Sequence, residues 1–114
     1  MEILKATPDL TLKQLYDLTK NPEAEKMSDH IGEIIPVEHY MIRTEVKGDD
    51  GEIITITSIM GNGKIYSTNS ATFSREFDSI LEMAQRANAQ VKRVKIAQGE
   101  SKRGRPYITC VYVD

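Results

Sequence analysis

The chain has 114 residues, 39% hydrophobic and 28% charged, with a formal net charge of −2. That composition describes one soluble globular domain with its own core and excludes disorder along the whole length. No apolar run approaches the ~20 residues of a membrane-spanning helix, no apolar stretch follows a basic start as in a secretory signal, and a single cysteine, Cys110, cannot form an internal disulfide and fits a reducing, cytoplasmic compartment.

Residues 1–30 read as an N-terminal helical arm. Leu12, Leu15, Tyr16 and Thr19 recur at helical spacing with Leu18 beside them, and Thr11 followed by Gln14 has the form of a capping box. Asn21-Pro22 reads as a second helix start, with a short helix over Glu23 to Met27. The arm is expected to pack on the domain or to dock on a neighbouring subunit.

From 31 to 114 the pattern turns to strands. Ile34 to Val46 is rich in β-branched residues and interrupted at Pro36, which marks an edge or a bend. Lys47-Gly48-Asp49-Asp50-Gly51 is turn chemistry. Ile53 to Met60 alternates as a half-buried strand, Thr55 and Thr57 on one face and Ile54 and Ile56 on the other. Gly61-Asn62-Gly63 signals a hairpin, and Lys64 to Asn69 returns as a third strand, with Lys64, Tyr66 and Thr68 on its outward side. Ser70 stands as a helix cap. Phe73, Phe77, Ile80, Leu81 and Ala84 trace the apolar stripe of a helix over 71–87. Val91 to Ala97 and Tyr107 to Val113 are the fourth and fifth strands, joined by a loop from Gly99 to Pro106. A mostly β fold with α results. Its β-β-β-α-β-β order over 31–114 fits a five-stranded barrel of the oligonucleotide-binding (OB) kind, with the helix between strands three and four. A sheet with one helix packed across it fits the same order.

Signals for catalysis are poor. His30 and His39 lie on different local structures, without a Cys, Asp or Glu at metal-ligand spacing. Cys110 reads as a small buried residue. Gly61-Asn62-Gly63-Lys64 lacks phosphate-loop spacing and enters a strand. Asp49, Asp50 and Glu52 could hold a divalent ion, as a small metal-dependent nuclease would require, but a solvated turn uses the same residues. No enzyme activity, cofactor or metal is expected.

Charge points elsewhere. Residues 1–85 carry 8 Lys/Arg against 15 Asp/Glu, whereas 86–105 carry seven Lys/Arg against Glu100 alone. A local positive field on an acidic chain can still steer an anion to one face. Arg93 and Lys95 share a face of strand four, beside Lys92; Lys102, Arg103 and Arg105 crowd the loop that follows, and Tyr107 comes next. Arg43, Lys64 and Tyr66 belong to the earlier strands of the same surface. Cations track phosphates, and a tyrosine ring offers a stacking platform to an unpaired base, at ~1–3 kcal/mol per base. Two competing expectations stand beside this one. Tyr66 and Tyr107 could pack beneath the helix or the arm, and the basic loop could be only a soluble hairpin tip. The acidic 47–52 turn would repel phosphate if it flanked the same groove, so the path is expected to lean toward 92–107.

Four stretches carry a resemblance. They are Asn21-Pro22-Glu23-Ala24-Glu25-Lys26-Met27; Gly32-Glu33; Tyr66-Ser67-Thr68-Asn69-Ser70-Ala71-Thr72-Phe73, with Phe77 and Ile80; and Ser101-Lys102-Arg103-Gly104-Arg105-Pro106-Tyr107-Ile108-Thr109-Cys110. In that order they resemble a family of small single-stranded-DNA-binding proteins encoded by phages and prophages of Gram-positive bacteria. The similarity covers nearly the whole chain, and the Thr-Asn-Ser-x-Thr-Phe and Ser-Lys-x-Gly-Arg segments are its most specific parts. It implies an OB-like barrel that coats single-stranded DNA during phage DNA replication or recombination, in the cytoplasm of the bacterial host, and it adds no catalytic residue. Lys102, Arg103 and Arg105 match the family's basic loop. Thr68, Asn69, Ser70 and Phe73 match the other segment, where Ser70 would cap the helix and Phe73 would enter the core; a phosphate at that helix start is the physical alternative. The acidic 49–52 turn lies outside the shared pattern.

The expected function is therefore non-catalytic, largely sequence-independent binding of single-stranded DNA by Arg43, Lys64, Tyr66, Lys92, Arg93, Lys95, Lys102, Arg103, Arg105 and Tyr107. The same chemistry admits RNA, no membrane is expected, and a homo-oligomer or cooperative assembly on DNA would supply affinity. The alternative is a protein–protein interaction module that grips a replication or host protein through the acidic 1–85 surface or the arm.

Overall fold

A computed structural model describes all 114 residues, and the N-terminal segment departs most from expectation. Glu2–Ala6 is a strand, β1. It pairs antiparallel with β4 (His39–Lys47), with one irregular step between Ile3 and Lys5, so tertiary pairing overrides a weak local preference. The Thr7 hydroxyl accepts from the Tyr40 amide at 2.7 Å and fixes the exit from β1. Helix α1 (Leu12–Thr19) carries the full capping box: Thr11 Oγ1 accepts from the Gln14 amide at 3.1 Å, and Gln14 Oε1 accepts from the Thr11 amide at 2.9 Å. The second helix expected over Glu23 to Met27 does not form. Asn21 Oδ1 accepts from the Glu23 amide at 2.9 Å, a local turn that competes with helix. The chain then leaves as a two-residue strand, β2 (Glu25–Lys26), parallel to β6 (Lys64–Thr68). A 3-10 turn, Met27–His30, follows, with the Met27 side chain fully buried. The 1–30 segment is thus built into the sheet, and only its middle is α-helical.

The remaining elements keep the expected order. Pro36 ends β3 (Ile34–Pro36), and β4 begins three residues later. β4 turns at 48–51 into β5 (Glu52–Gly61). Asn62 and Gly63, both left-handed (φ 57 and 76), close the hairpin to β6. Ser70 caps α2 (Ala71–Arg86), its Oγ accepting from the Phe73 amide at 3.1 Å. β7 (Arg93–Glu100) and β8 (Pro106–Tyr112) form the last hairpin.

The strands make two sheets, β1-β4-β5-β6-β2 and β3-β7-β8. The fold is mostly β with two helices. The expected five-stranded barrel is corrected in its strand count and closure: there are eight strands in two sheets, and β6 and β8 do not pair. β2 lies instead along the free edge of β6. Where the ladder is broken, Ser70 Oγ donates to the Ile108 carbonyl at 2.7 Å and ties the two sheets. Between the sheets lies one core of Ile35, Ile42, Ile59, Tyr66, Val94, Ile96 and Cys110, filled from one side by Phe73, Phe77 and Ile80 of α2 and plugged by Met27. The stripe of α2 explains its docking: Phe73, Phe77 and Ile80 recur at helical spacing and are buried, with Ser74 covered beside them. α1 packs on the other face of β4 and β5, where Leu18, Met41, Arg43 and Ser58 are buried.

Candidate nucleic-acid interface

The break between β6 and β8 opens outward as a groove of about 990 Å³, with Lys26, Lys47, Ile54, Ile56, Ser67 and Tyr107 among its lining residues. Strand register explains the floor. Arg43 pairs with Ile56, Glu45 with Ile54, and Ser58 with Ser67, so these residues face away from the core. Nearer the β4 start, α1 covers that outer face; toward the β4–β5 turn it stays open, and Ile54 and Ile56 form an aliphatic floor.

Two hairpin tips flank the groove and carry opposite charge. At the β4–β5 tip, Gly48 and Gly51 take positive φ (76 and 78), and Asp50 Oδ1 accepts from the Glu52 amide at 3.3 Å. Asp49, Asp50 and Glu52 are exposed there. At the β7–β8 tip, the Ser101 amide donates to the Arg105 carbonyl and the Gly104 amide to the Ser101 carbonyl, both at 2.9 Å. Gly104 adopts φ 75, which favours glycine. The turn is closed by its own backbone and presents Lys102, Arg103 and Arg105 to solvent. None of these three cations, nor the three carboxylates opposite, enters an ion pair. Tyr107 stands at the rim, 39% exposed. Its ring lies across the bare backbone of Gly99, where an added Cβ would come within 2.5 Å of the ring carbon Cζ. Gly99 thus makes room for the tyrosine.

Of the residues singled out in the sequence, Tyr107 alone lines the groove, and Lys102, Arg103 and Arg105 are exposed on the turn that leads into it through Pro106. Arg93 and Lys95 face outward from β7, away from the buried Val94 and Ile96, and lie outside the groove on the three-stranded sheet. Arg93 is engaged by the Asp114 backbone carbonyl, through Nε at 3.2 Å. Lys92 is exposed just before β7, and its carbonyl accepts from the Val37 amide at 2.9 Å.

Two assignments are corrected, those of Tyr66 and Arg43. Tyr66 is buried at 5% exposure. It faces inward opposite Ile59 and meets His30 edge-on at 5.0 Å, so its ring is no stacking platform. Arg43 is buried beneath α1. Its Nη1 donates to the Leu18 carbonyl (2.9 Å) and Ser58 Oγ (3.1 Å), Nη2 to the Thr19 carbonyl (3.2 Å) and Nε to Glu45 (3.0 Å). A cation set on the last carbonyls of a helix satisfies them and opposes their dipole, so Arg43 is a structural staple. Lys64 starts β6 at its far end, in a pocket shared with Glu23, Glu25 and Glu38, and the groove lining does not include it.

The sequence reading missed Lys26, Lys47, Ile54 and Ile56. Lys26 reaches the groove only because β2 runs along β6, for which no local signal exists. The alternation of Ile54 and Ile56 was visible, but they lie on the outer face, and the opposite face points into the core, where Thr57 is buried and hydrogen-bonded to Ser74.

Burial pushes the Cys110 thiol up to about 12, which keeps it protonated and unreactive. His30 lies between Glu33 (Nδ1, 2.7 Å) and Glu25 (Nε2, 2.9 Å). Its hydrogen bond to Glu33, followed by that to Glu25, raises its pKa above 6.5. This clasp ties β2 to the chain entering β3. No three His, Cys, Asp or Glu side chains converge as metal ligands, and no helix is long and apolar enough to cross a membrane. Compared with protein-family models, curated proteins and solved structures, the chain matches none.

Proposed function

We propose that this chain is a non-catalytic, largely sequence-independent single-stranded-DNA-binding protein with a partly open OB-like architecture, of the phage- and prophage-encoded kind that its sequence resembles. The observation that carries the reading is the groove itself: an aliphatic floor, a half-exposed tyrosine at the rim, and three unpaired cations on a closed turn beside it. Strand order supports it. With β3 and β4 counted as one bent strand, the chain runs strand, strand, strand, helix, strand, strand, and the bent strand pairs with the second strand at one end and the fourth at the other. That order is compatible with an OB fold left open between the third and fifth strands. In such folds the outer face of strands two and three, and the loops after strands one and four, take the oligonucleotide. On that reading the groove and both tips correspond to those places.

Phosphates would follow Lys102, Arg103 and Arg105, with bases turned onto Tyr107, Ile54 and Ile56. Only unpaired bases expose faces to such contacts, so single strands are preferred to duplex. The role served is to coat and protect single strands during DNA replication or recombination in the cytoplasm.

The test is fluorescence anisotropy of a labelled ~30-mer oligo-dT at several salt concentrations, beside a duplex of equal length. Each single-strand phosphate contact contributes a slope of about −0.7 to log K against log salt. Replacing Lys102, Arg103 and Arg105 by Ala should weaken binding and flatten that slope by about 2. A parent protein that binds neither DNA at low salt would overturn the reading, and point to a protein partner instead.

A further inference from the structure

We infer that the bound strand does not end in the groove but turns over Tyr107 onto the outer face of the three-stranded sheet, as far as Lys95; this rests on the DNA reading above. Register places Lys95 between Ile34 on β3 and Val111 on β8. Both flanking residues are apolar and exposed, at 55% and 44%. Between Lys95 and the tip, the same outward rows hold only Ala97, Gly99, Tyr107 and Thr109. The strip is therefore low and apolar, and no outward residue along it is a carboxylate.

Tyr107 joins the two surfaces. It lines the groove, and it also heads the outward row of β8 that continues through Thr109 to Val111. From Gly99 to Lys95 the strip runs about 13 Å, at ~3.3 Å per strand residue. Lys95 has no ion pair, whereas Arg93 beyond it is engaged by Asp114. The last free cation on the path is thus Lys95. Two observations select a nucleic acid as occupant: the strip shares Tyr107 with the groove, and its one free charge is positive. A free phosphate offers Lys95 the charge it lacks, and unpaired bases offer Ile34 and Val111 an apolar partner. The β4–β5 tip beyond the groove carries Asp49, Asp50 and Glu52, all exposed, so a strand leaving the groove on that side meets three carboxylates.

The consequence is a length dependence. Single OB-type folds cover ~4–16 nucleotides. A ~5-mer oligo-dT occupies the groove alone, and a ~15-mer reaches Lys95. The experiment measures both by anisotropy for the parent and for Lys95→Ala with Val111→Thr, a change to exposed positions that keeps a β-branched residue. The variant should bind the ~5-mer as the parent does, bind the ~15-mer about five- to tenfold more weakly, and lose about 0.7 from the salt slope on the longer strand. Ile34→Thr, on the other side of Lys95, should give a smaller loss of the same kind. A parent that binds the ~15-mer, with both variants equal to it in affinity and slope, would overturn this path and leave the groove standing. A parent that binds neither length would overturn both.

Discussion

Arg43 offers the sharpest test of how the structure divides scaffold from binding surface. Arg43→Ala removes a guanidinium that satisfies four acceptors. Two of these, the Leu18 carbonyl and Ser58 Oγ, lie in buried contacts, and water cannot replace the lost donor there. An unsatisfied buried polar group costs about 1–3 kcal/mol. The Thr19 carbonyl and Glu45 carboxylate are partly exposed and rehydrate at little cost. The expected loss is therefore about 2–4 kcal/mol, more than most single substitutions produce. With a urea m-value of about 1–3 kcal/mol/M, the unfolding midpoint should fall by about 1–2 M. Arg43→Lys should recover less than half, because one ammonium cannot span acceptors arranged around a planar fork. The assay is urea unfolding followed by far-UV circular dichroism. At low temperature, where the variant stays folded, its affinity for oligo-dT should equal the parent's. A loss below about 0.5 kcal/mol, or full rescue by Lys, would refute the staple; a folded variant that no longer binds would return Arg43 to the DNA surface.

Other outcomes follow from the rim and the clasp. Gly99→Ala should displace the Tyr107 ring and weaken oligo-dT binding toward the level of Tyr107→Ala, which removes a stack of ~1–3 kcal/mol; in a Tyr107→Ala background it should change nothing, and an equal loss in both backgrounds would sink the argument. Asp49→Asn, Asp50→Asn and Glu52→Gln together should raise affinity at low salt, the gain fading toward 1 M salt, where the Debye length is ~3 Å; unchanged low-salt affinity would place that tip outside the field of the bound strand. The His30 clasp predicts a pH dependence of stability. Its folded pKa is raised above 6.5, so its contribution is fully present below about pH 6.5 and is lost as pH rises through the folded value. Between pH 6 and 8.5 the parent should therefore lose urea resistance relative to His30→Gln, and parallel pH profiles for the two proteins would contradict the clasp.

The parts of this fold legible in the sequence are those decided within a few residues. The α2 stripe, its Ser70 cap, the Thr11–Gln14 box and the Asn62-Gly63 hairpin all rest on local spacing, and all form. β1 and β2 do not announce themselves: Glu2–Ala6 becomes a strand only because β4 offers an edge, and Glu25–Lys26 only because β6 does. Alternation defines two faces without saying which is inside. Tyr66 and Thr68 share one row of β6, Ile65 and Ser67 the other, and both rows mix polar with apolar. The core takes the Tyr66 row because Ile59 stands opposite it. Arg43 carried a readable hint, a cation between Met41-Ile42 and Thr44, but two of its four partners come from a helix about 24 residues earlier. The basic tip was readable because three cations in one short turn must be exposed wherever the turn sits.

Net charge of −2 is a poor guide here because the two tips divide it by position. On the proposed reading this division does more than set affinity. A strand between an acidic and a basic tip lowers its energy by turning phosphates toward Lys102, Arg103 and Arg105, and its bases then face Ile54, Ile56 and Tyr107. Rotation about the strand axis is settled by charge before any base is contacted, which is the role phosphate contacts play generally. The N-terminal residues sharpen the effect. α1 occupies the outer face of β4 and β5 up to Ser58, and β2 fills the free edge of β6, so the only open length lies between the tips. A short groove with one exposed aromatic gives few contacts per chain, and the outer strip leading to Lys95 is the one continuous surface that can lengthen them without crossing the carboxylates.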